Sequence, residues 1–396
     1  MYADKDYIIS LRREIHEYPE IGFELPKTIA VVKRELESLG IEYTEEYGES
    51  AVIGIINPDK KHFTIGIRAD MDALLIEEKT DLPFKSKTPG KMHACGHDAH
   101  TAMLLGTAKA LKAMEDKLAC RVMLVFQPSE EGIRSGAEAL VKDGLMDEID
   151  VIVGMHIENW LESGTIGVCA GSSMASSRNL RIDFYGKTAH ATLPQTGADA
   201  LAAAIRTYNN IQYMLGREIN PFSKYVCSIG KLEGGTSQNI IADHAYMLGT
   251  IRTFDMELDS FLIRRIEEIA KNTAGETGVE AVVDTSLKAY VVYNNPYISE
   301  LVLESAKKVT DIQKMPEKLS SEDFSQYLTK KPGAFIRLGT RNEAKGCVTL
   351  PHNNDFLIDE EAFVTGSDTC VQFVLDNMNG IDMQKVEESD ERKKNR

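Results

Sequence analysis

Apolar residues in "YIISLRREIHEY" recur every three to four positions, which predicts an amphipathic helix. "KTIAVVKRELESLG" repeats the pattern, with Gly40 placed to end it. Short apolar runs then follow: "AVIGII", "FTIGIRAD", "RVMLVFQP" and "VIVGMH". Each is brief and rich in branched side chains, and helical pattern such as "AHTAMLLGTAKALKAM" lies between them. That alternation predicts an α/β fold with a mostly parallel sheet and helices on both faces.

Residues 178 to 290 read differently. Strand "RNLRIDFYG", helix "GADALAAAIRTYNNIQYML", strands "KYVCSIGKL" and "HAYMLGTIRTF", helix "LDSFLIRRIEEIAKNTAG" and strand "VEAVVDTSLKAYVV" spell βαββαβ, the ferredoxin-like unit. Being self-contained, the block is expected to be an inserted dimerisation or lid domain, 178–290, between catalytic segments 1–177 and 291–380. "RNLRIDFYG" is expected at the edge of its sheet, where pairing with a twin across a two-fold axis would make a homodimer. The remainder, 381–396, is charged enough to be expected as a mobile tail.

Length agrees with two domains, since 396 residues exceed what one core usually supports. The formal net charge of -16 excludes a large basic surface and with it nucleic-acid binding. No apolar run is long enough for a membrane span, and the first thirty residues lack the apolar segment of a secretory signal. Six cysteines stand apart with no Cys-x-x-Cys pair, as reduced thiols do, so a cytoplasmic protein is expected.

One stretch does not fit a core: "MHACGHDAH", residues 92–100, gathers His93, Cys95, His97, Asp98 and His100. Cys95 and His97, just before a helix, could face one ion. "FTIGIRAD" ends in Asp70, "RVMLVFQPSEE" runs into Glu130 and Glu131, and "VIVGMH" ends in His156. The carboxyl ends of strands border the ligand crevice of an open α/β sheet, so these residues are expected to converge there. Thiolate, imidazole and carboxylate together suit zinc or a similar metal. In the Glu130–Glu131 pair, one carboxylate could bind metal while the other takes a proton from water. Alone, a cysteine is most often a small buried hydrophobe and a Glu-Glu pair solvated surface; packing does not explain the whole set. His16 and His62 have no second ligand beside them, although His16 could support the fold near the crevice.

The motifs "RADMDAL", "MHACGHDAHTAMLLGTAKAL", "QPSEEG", "GMHI", "GKTAHATLP", "GGTSQNIIAD", "GTIRTFD", "SEDFS" and "PHNNDF" resemble, in order, the metal-dependent amidohydrolases that include hippurate hydrolase, N-acetyl-diaminopimelate deacetylase and the indole-acetyl amino acid hydrolases. The resemblance implies two divalent ions (zinc, manganese, cobalt or nickel) held by Cys95, His97, Glu131, His156 and His352, with Glu130 as general base. It implies an aspartate that orients a ligand, Asp70 in preference to Asp72. It also implies that Asn239 and Arg252 hold the substrate carboxylate and that His190, reaching a partner's site, stabilises the oxyanion. Three departures, "TAHAT" around His190, "PHNNDF" around His352 and Leu75 in place of a proline, leave the ligand and base positions intact and bear on substrate fit. The activity implied is hydrolysis of the amide bond in small N-acyl amino acids. The alternatives are a dipeptidase or carboxypeptidase, and a metal-binding protein without catalysis; loss of the base would mark the last, and Glu130 is present.

Overall fold

In the computed structural model, which describes residues 2–390, Thr64–Asp70 and Arg121–Gln127 are buried along their whole lengths. That is the expected state of strands covered on both faces. They pair in parallel, and Thr64–Asp70 also pairs in parallel with Val151–Glu162, which in turn pairs in parallel with Gly333–Arg341. These four strands form the centre of an eight-stranded sheet in the order Glu42–Thr44, Val52–Ile56, Arg121–Gln127, Thr64–Asp70, Val151–Glu162, Gly333–Arg341, Ile166–Val168, Ile312–Lys314. Antiparallel pairing appears only away from the centre, where Val52–Ile56 meets Glu42–Thr44 and Arg121–Gln127, and where Ile166–Val168 meets Gly333–Arg341.

The helix His97–Lys112 is buried almost all round, and only Lys109 and Lys112 escape full burial; it packs against Lys5–His16, Pro26–Ser38 and Phe363–Asn377. The chain divides into two compact units, one of Met1–Ser173, Val292–Glu317 and Asp323–Arg396, the other of Met174–Val291 and Lys318–Glu322.

The second unit holds a four-stranded antiparallel sheet in the order Tyr225–Gly234, His244–Thr253, Ser177–Tyr185, Glu280–Ala289. Its own core includes Ile211 and Met214 of helix Ala200–Arg217, Leu262 and Ile266 of helix Met256–Gly275, and Leu180, Ile182 and Phe184 of the sheet. The strand containing "RNLRIDFYG" is therefore central, not the edge expected from its sequence. Its alternation of polar and apolar residues reflects a sheet with one open face, with Arg181 and Tyr185 outward and Leu180, Ile182 and Phe184 inward. The edges belong to Tyr225–Gly234 and Glu280–Ala289.

The charged C-terminal stretch also departs from expectation. Met383–Ser389 is a short helix capped by Asp382 and pinned to the first unit, with Val386 buried and its carbonyl accepting the Asn295 amide at 2.9 Å. One apolar residue and two hydrogen-bonding groups are enough to anchor a turn or two whose other side chains stay charged. The rest of that stretch, 391–396, lies outside the described residues. No helix among the described residues is long and apolar enough to cross a membrane.

Candidate metal centre

The turn Cys95-Gly96-His97 shows why these three residues stand together. Gly96 has φ +83°, and a Cβ there would lie 2.2 Å from Ile157 Cδ1. Only glycine tolerates both the left-handed backbone and that approach. The turn opens the helix at His97 and leaves Cys95, His97 and His156 with one donor atom each within 4.8 Å of one another.

The carboxylates arrive by a second strained turn. After strand Arg121–Gln127, Ser129 takes φ +54°, and the next two backbone amides, of Glu130 and Glu131, donate to the two oxygens of Asp72 at 2.9 and 3.1 Å. His352 has φ +66°, and its amide donates to the Ala94 carbonyl at 2.8 Å. Left-handed backbone at non-glycine residues costs about 1–3 kcal/mol each and persists where surrounding structure over-determines it. Of the four such residues among those described, Ser129 and His352 adjoin the donor atoms, and Ser50 and Asn57 do not.

Strand Val151–Glu162 runs six residues beyond His156, where the sequence pattern suggested an end. The neighbouring strand does end, however: its last pair with Val151–Glu162 is Arg68 opposite Gly154, so His156 stands just past the ladder. Cys95 Sγ is 3.4 Å from His156 Nε2, and His352 Nε2 is 2.9 Å from Glu131 Oε1. Two donor triads emerge, Cys95 with His97 and His156, and Cys95 with Glu131 and His352. Cys95 is common to both. Glu130 and Glu131 form a further group with His97, whose Nε2 lies 4.0 Å from Glu130 Oε2.

The charges suit cations. Burial, followed by the charges of Glu131, Glu130 and Asp70, pushes the Cys95 thiol well above its ordinary range, so a thiolate here needs a compensating positive charge. Burial holds His156 well below the ordinary histidine value, leaving it a neutral donor. Burial works against a charge on His97, but Asp70, Asp72 and Glu131 outweigh it and raise the ring to about 10. Neither ring nitrogen of this fully buried side chain has a hydrogen-bond partner, and Glu131 Oε1 is likewise buried without one; its contact with His352 is an ion pair without hydrogen-bond geometry. Donor atoms left without hydrogen bonds at a buried, acidic site suit a bound cation, although His93, outside the cluster, also has two such nitrogens.

Other residues surround this cluster, and two of them, Asp70 and His100, form a donor group of their own with His97. His93 turns away and lies 6.2 Å, ring to ring, from His16, which contacts Asp98 at 2.7 Å and Glu78 at 3.2 Å. Arg12 Nε also donates to Asp98 at 2.7 Å. His16, read as a non-site, thus helps hold the first turn of helix His97–Lys112. Asp70 is occupied by Arg68 and His100, at 2.7 and 2.6 Å, and Asp72 by the glutamate backbone. Arg68 was not singled out from sequence, and His100, gathered with the others in "MHACGHDAH", was given no role, although each left a signal. An arginine inside "FTIGIRAD" requires a buried partner, and His100 follows His97 by three residues, on the same helix face.

The residues expected to bind substrate lie in the smaller unit. His190 and Asn239 come together: Ala189–His190 pairs with Ile240–Ile241, and the Asn239 carbonyl accepts the Ala191 amide at 3.0 Å. His190 is exposed, with Nδ1 2.8 Å from Thr192 Oγ1. Arg252 lies on strand His244–Thr253 and donates to Ser321 Oγ at 3.1 Å, in the short segment Lys318–Glu322 that returns to this unit.

Comparison with known proteins places these features. Residues 66–376 match the model of peptidase family M20/M25/M40. Thermostable carboxypeptidase 1 of Saccharolobus solfataricus is 37% identical over 366 residues, which cover 92% of this chain and 93% of that one. N-acetyl-L-cysteine deacetylase of Bacillus subtilis is 35% identical over 362 residues, 91% of this chain and 85% of that one. A solved Bacillus subtilis structure, described as a dinuclear metal binding peptidase from the M20 family, superposes with a TM-score of 0.83 at 33% identity, covering 95% of this chain and 99% of that one.

Proposed function

Because the chain belongs to peptidase family M20/M25/M40 and is a metal-dependent amide hydrolase, we propose that it removes the acyl group from small N-acyl amino acids at a centre of two divalent ions, with Glu130 as the base. The observation that carries this is the pair of donor triads sharing Cys95, with Glu130 beside them.

In this reading Cys95, His97 and His156 serve one ion and Cys95, Glu131 and His352 the other. Thiolate, imidazole and carboxylate suit zinc, manganese, cobalt or nickel. Two such ions supply Lewis acidity that polarises the scissile carbonyl and eases deprotonation of water. Glu130 takes the proton of the attacking water and returns it to the departing nitrogen. The carboxylate can do this because Asp72, holding the amides of both glutamates, fixes where each side chain starts. Asp72 is thus proposed to orient the glutamates, while Asp70, the orienting residue favoured by the sequence, faces Arg68 and His100.

Arg252 and Asn239 are proposed to hold the carboxylate of the departing amino acid and His190 the developing oxyanion. A carboxypeptidase would need the same carboxylate site, since its leaving group is also a C-terminal amino acid; the relative named a carboxypeptidase keeps this second reading open. The two separate by what stands on the acyl side. Cleavage of N-acetyl and N-benzoyl amino acids with little action on peptides of three or more residues is the expected outcome, and the opposite preference would transfer the proposal to the peptidase reading.

The carboxylate site has its own test. Arg252→Ala is expected to raise KM for N-acyl amino acids at least tenfold with metal content unchanged. Amidating the substrate carboxylate should cost the unmodified enzyme as much. Equal cleavage of acid and amide would remove the carboxylate site from the account.

A homodimer remains our proposal for the assembly, and the open side of edge strand Tyr225–Gly234 is the surface that would carry it. Light scattering is expected to report twice the chain mass, and a monomer at micromolar concentration would reject it.

A further inference from the structure

A chain of buried hydrogen bonds leads from the middle of the sheet to one of the proposed ligands. Arg68 is buried in its strand, and its guanidinium donates to Gln127 Oε1 at 2.8 Å, Asp70 Oδ2 at 2.7 Å and Asp323 Oδ1 at 3.0 Å. Asp323 is itself fixed, accepting from Gln127 Nε2, Ser135 Oγ and the Ala137 amide. With one oxygen on Arg68, Asp70 offers the other to His100 Nδ1 at 2.6 Å. His100 must then carry its proton on Nδ1, because a carboxylate only accepts. Its Nε2 is left as an acceptor, and it receives the backbone N–H of Ile157 at 3.0 Å.

That N–H lies on the side of strand Val151–Glu162 where the ladder with Thr64–Asp70 has run out, its last pair being Arg68 with Gly154. A buried amide past the end of a ladder still needs an acceptor, and the imidazole of His100 provides it. The other backbone group of the same residue, the Ile157 carbonyl, accepts from His156 Nδ1 at 2.6 Å. His156 is thereby left with a bare Nε2, which is the atom 3.4 Å from Cys95 Sγ. The two imidazoles also touch directly, with ring centres 4.7 Å apart.

We propose that His100 is a positioning residue: held by Asp70 and Arg68, it fixes the backbone of Ile157 and through it the ring orientation and tautomer with which His156 presents Nε2 to the metal centre. An apolar side chain would fill the same space but leave the Ile157 N–H buried and unpaired, free to pull the strand and the His156 ring out of register with Cys95. The inference rests on His156 being a metal ligand, as proposed above.

The two nitrogens of His100 can be separated by substitution. His100→Gln keeps an acceptor near the Nε2 position and gives up the Asp70 contact. His100→Asn keeps a donor near Nδ1 and cannot reach Ile157. His100→Leu keeps neither. Zinc affinity of metal-free protein, measured by competition with a chromophoric chelator, is the readout, with thermal unfolding of each metal-free variant as the check on folding. Loss of a partner that orients a ligand typically weakens metal binding by about 10- to 100-fold. His100→Leu and His100→Asn are expected to show that loss, and His100→Gln to recover most of it. Should His100→Leu not fold, the comparison of Asn with Gln decides alone. Equal zinc affinity in Gln and Asn variants, or unchanged affinity in a folded Leu variant, would overturn the proposal. If the unsubstituted protein bound no zinc, manganese, cobalt or nickel, the metal reading itself would fail, a separate outcome visible before any variant is compared.

Discussion

Replacing Glu130 by glutamine is expected to lower hydrolysis of N-acyl amino acids by roughly 100- to 10,000-fold, the range typical of a lost general base, while metal content stays unchanged. Glutamine matches glutamate in shape and keeps the backbone amide that donates to Asp72. It cannot accept a proton from water. Glu130 Oε2 is 4.0 Å from His97 Nε2 and belongs to neither triad built on Cys95, so the centre should fill normally without it. Its neighbour behaves differently: Glu131 lies against His352, and His352 and His97 pull its carboxyl below the ordinary range in spite of burial. Glu131→Gln should therefore reduce metal content first and activity as a consequence. Ordinary turnover in Glu130→Gln, or loss of its metal, would mean that the roles of the pair have been assigned the wrong way round.

The second large effect is expected from Cys95→Ala. Cys95 is the one donor common to both triads, so its removal should deplete both ions together. His156→Ala and His352→Ala each touch one triad and should lower metal content by about half, if the two ions bind independently. Elemental analysis of the three purified variants distinguishes a shared thiolate from one that serves a single ion. Alanine is small and apolar at a position only 7% exposed, so the fold should tolerate the change. Full metal content in Cys95→Ala would exclude the thiolate from the centre.

The parts of this account that could be read from sequence are those where chemistry and pattern coincide. "MHACGHDAH" marks a cluster of donor atoms, of which Cys95 and His97 meet His156 while His93 and His100 are buried beside them, and the short apolar runs announce parallel strands because both faces of such strands are buried. The parallel centre of the sheet and the inserted βαββαβ order were legible in the same way. What was not legible depends on long-range pairing. The alternation in Ser177–Tyr185 is the same for an edge strand and for a central strand with one open face, so its central place could not be read locally. The continuation of Val151–Glu162 past His156 was hidden because the polar residues after it are buried by hydrogen bonds, as Asn159 is through the Thr349 and Leu357 carbonyls. The partners of Asp70 and Asp72 were not legible either, since Asp72 meets the backbone of Glu130 and Glu131 and Asp70 meets His100, all distant in sequence. Charge composition likewise suggested a loose C-terminus where Val386 anchors a helix.

This chain's own residues are proposed to hold metal ions and to use them, with Glu130, on the amide of N-acyl amino acids. The most direct measurement is to strip the protein of metal, return zinc, manganese, cobalt or nickel singly, and follow release of free amino acid from acetyl, benzoyl and indole-acetyl amino acids. The account predicts no detectable hydrolysis by the metal-free protein, restoration by at least one of the four ions at two equivalents per chain, and no restoration in Glu130→Gln. Hydrolysis by the metal-free protein, or none with any ion on any of these substrates, would contradict it.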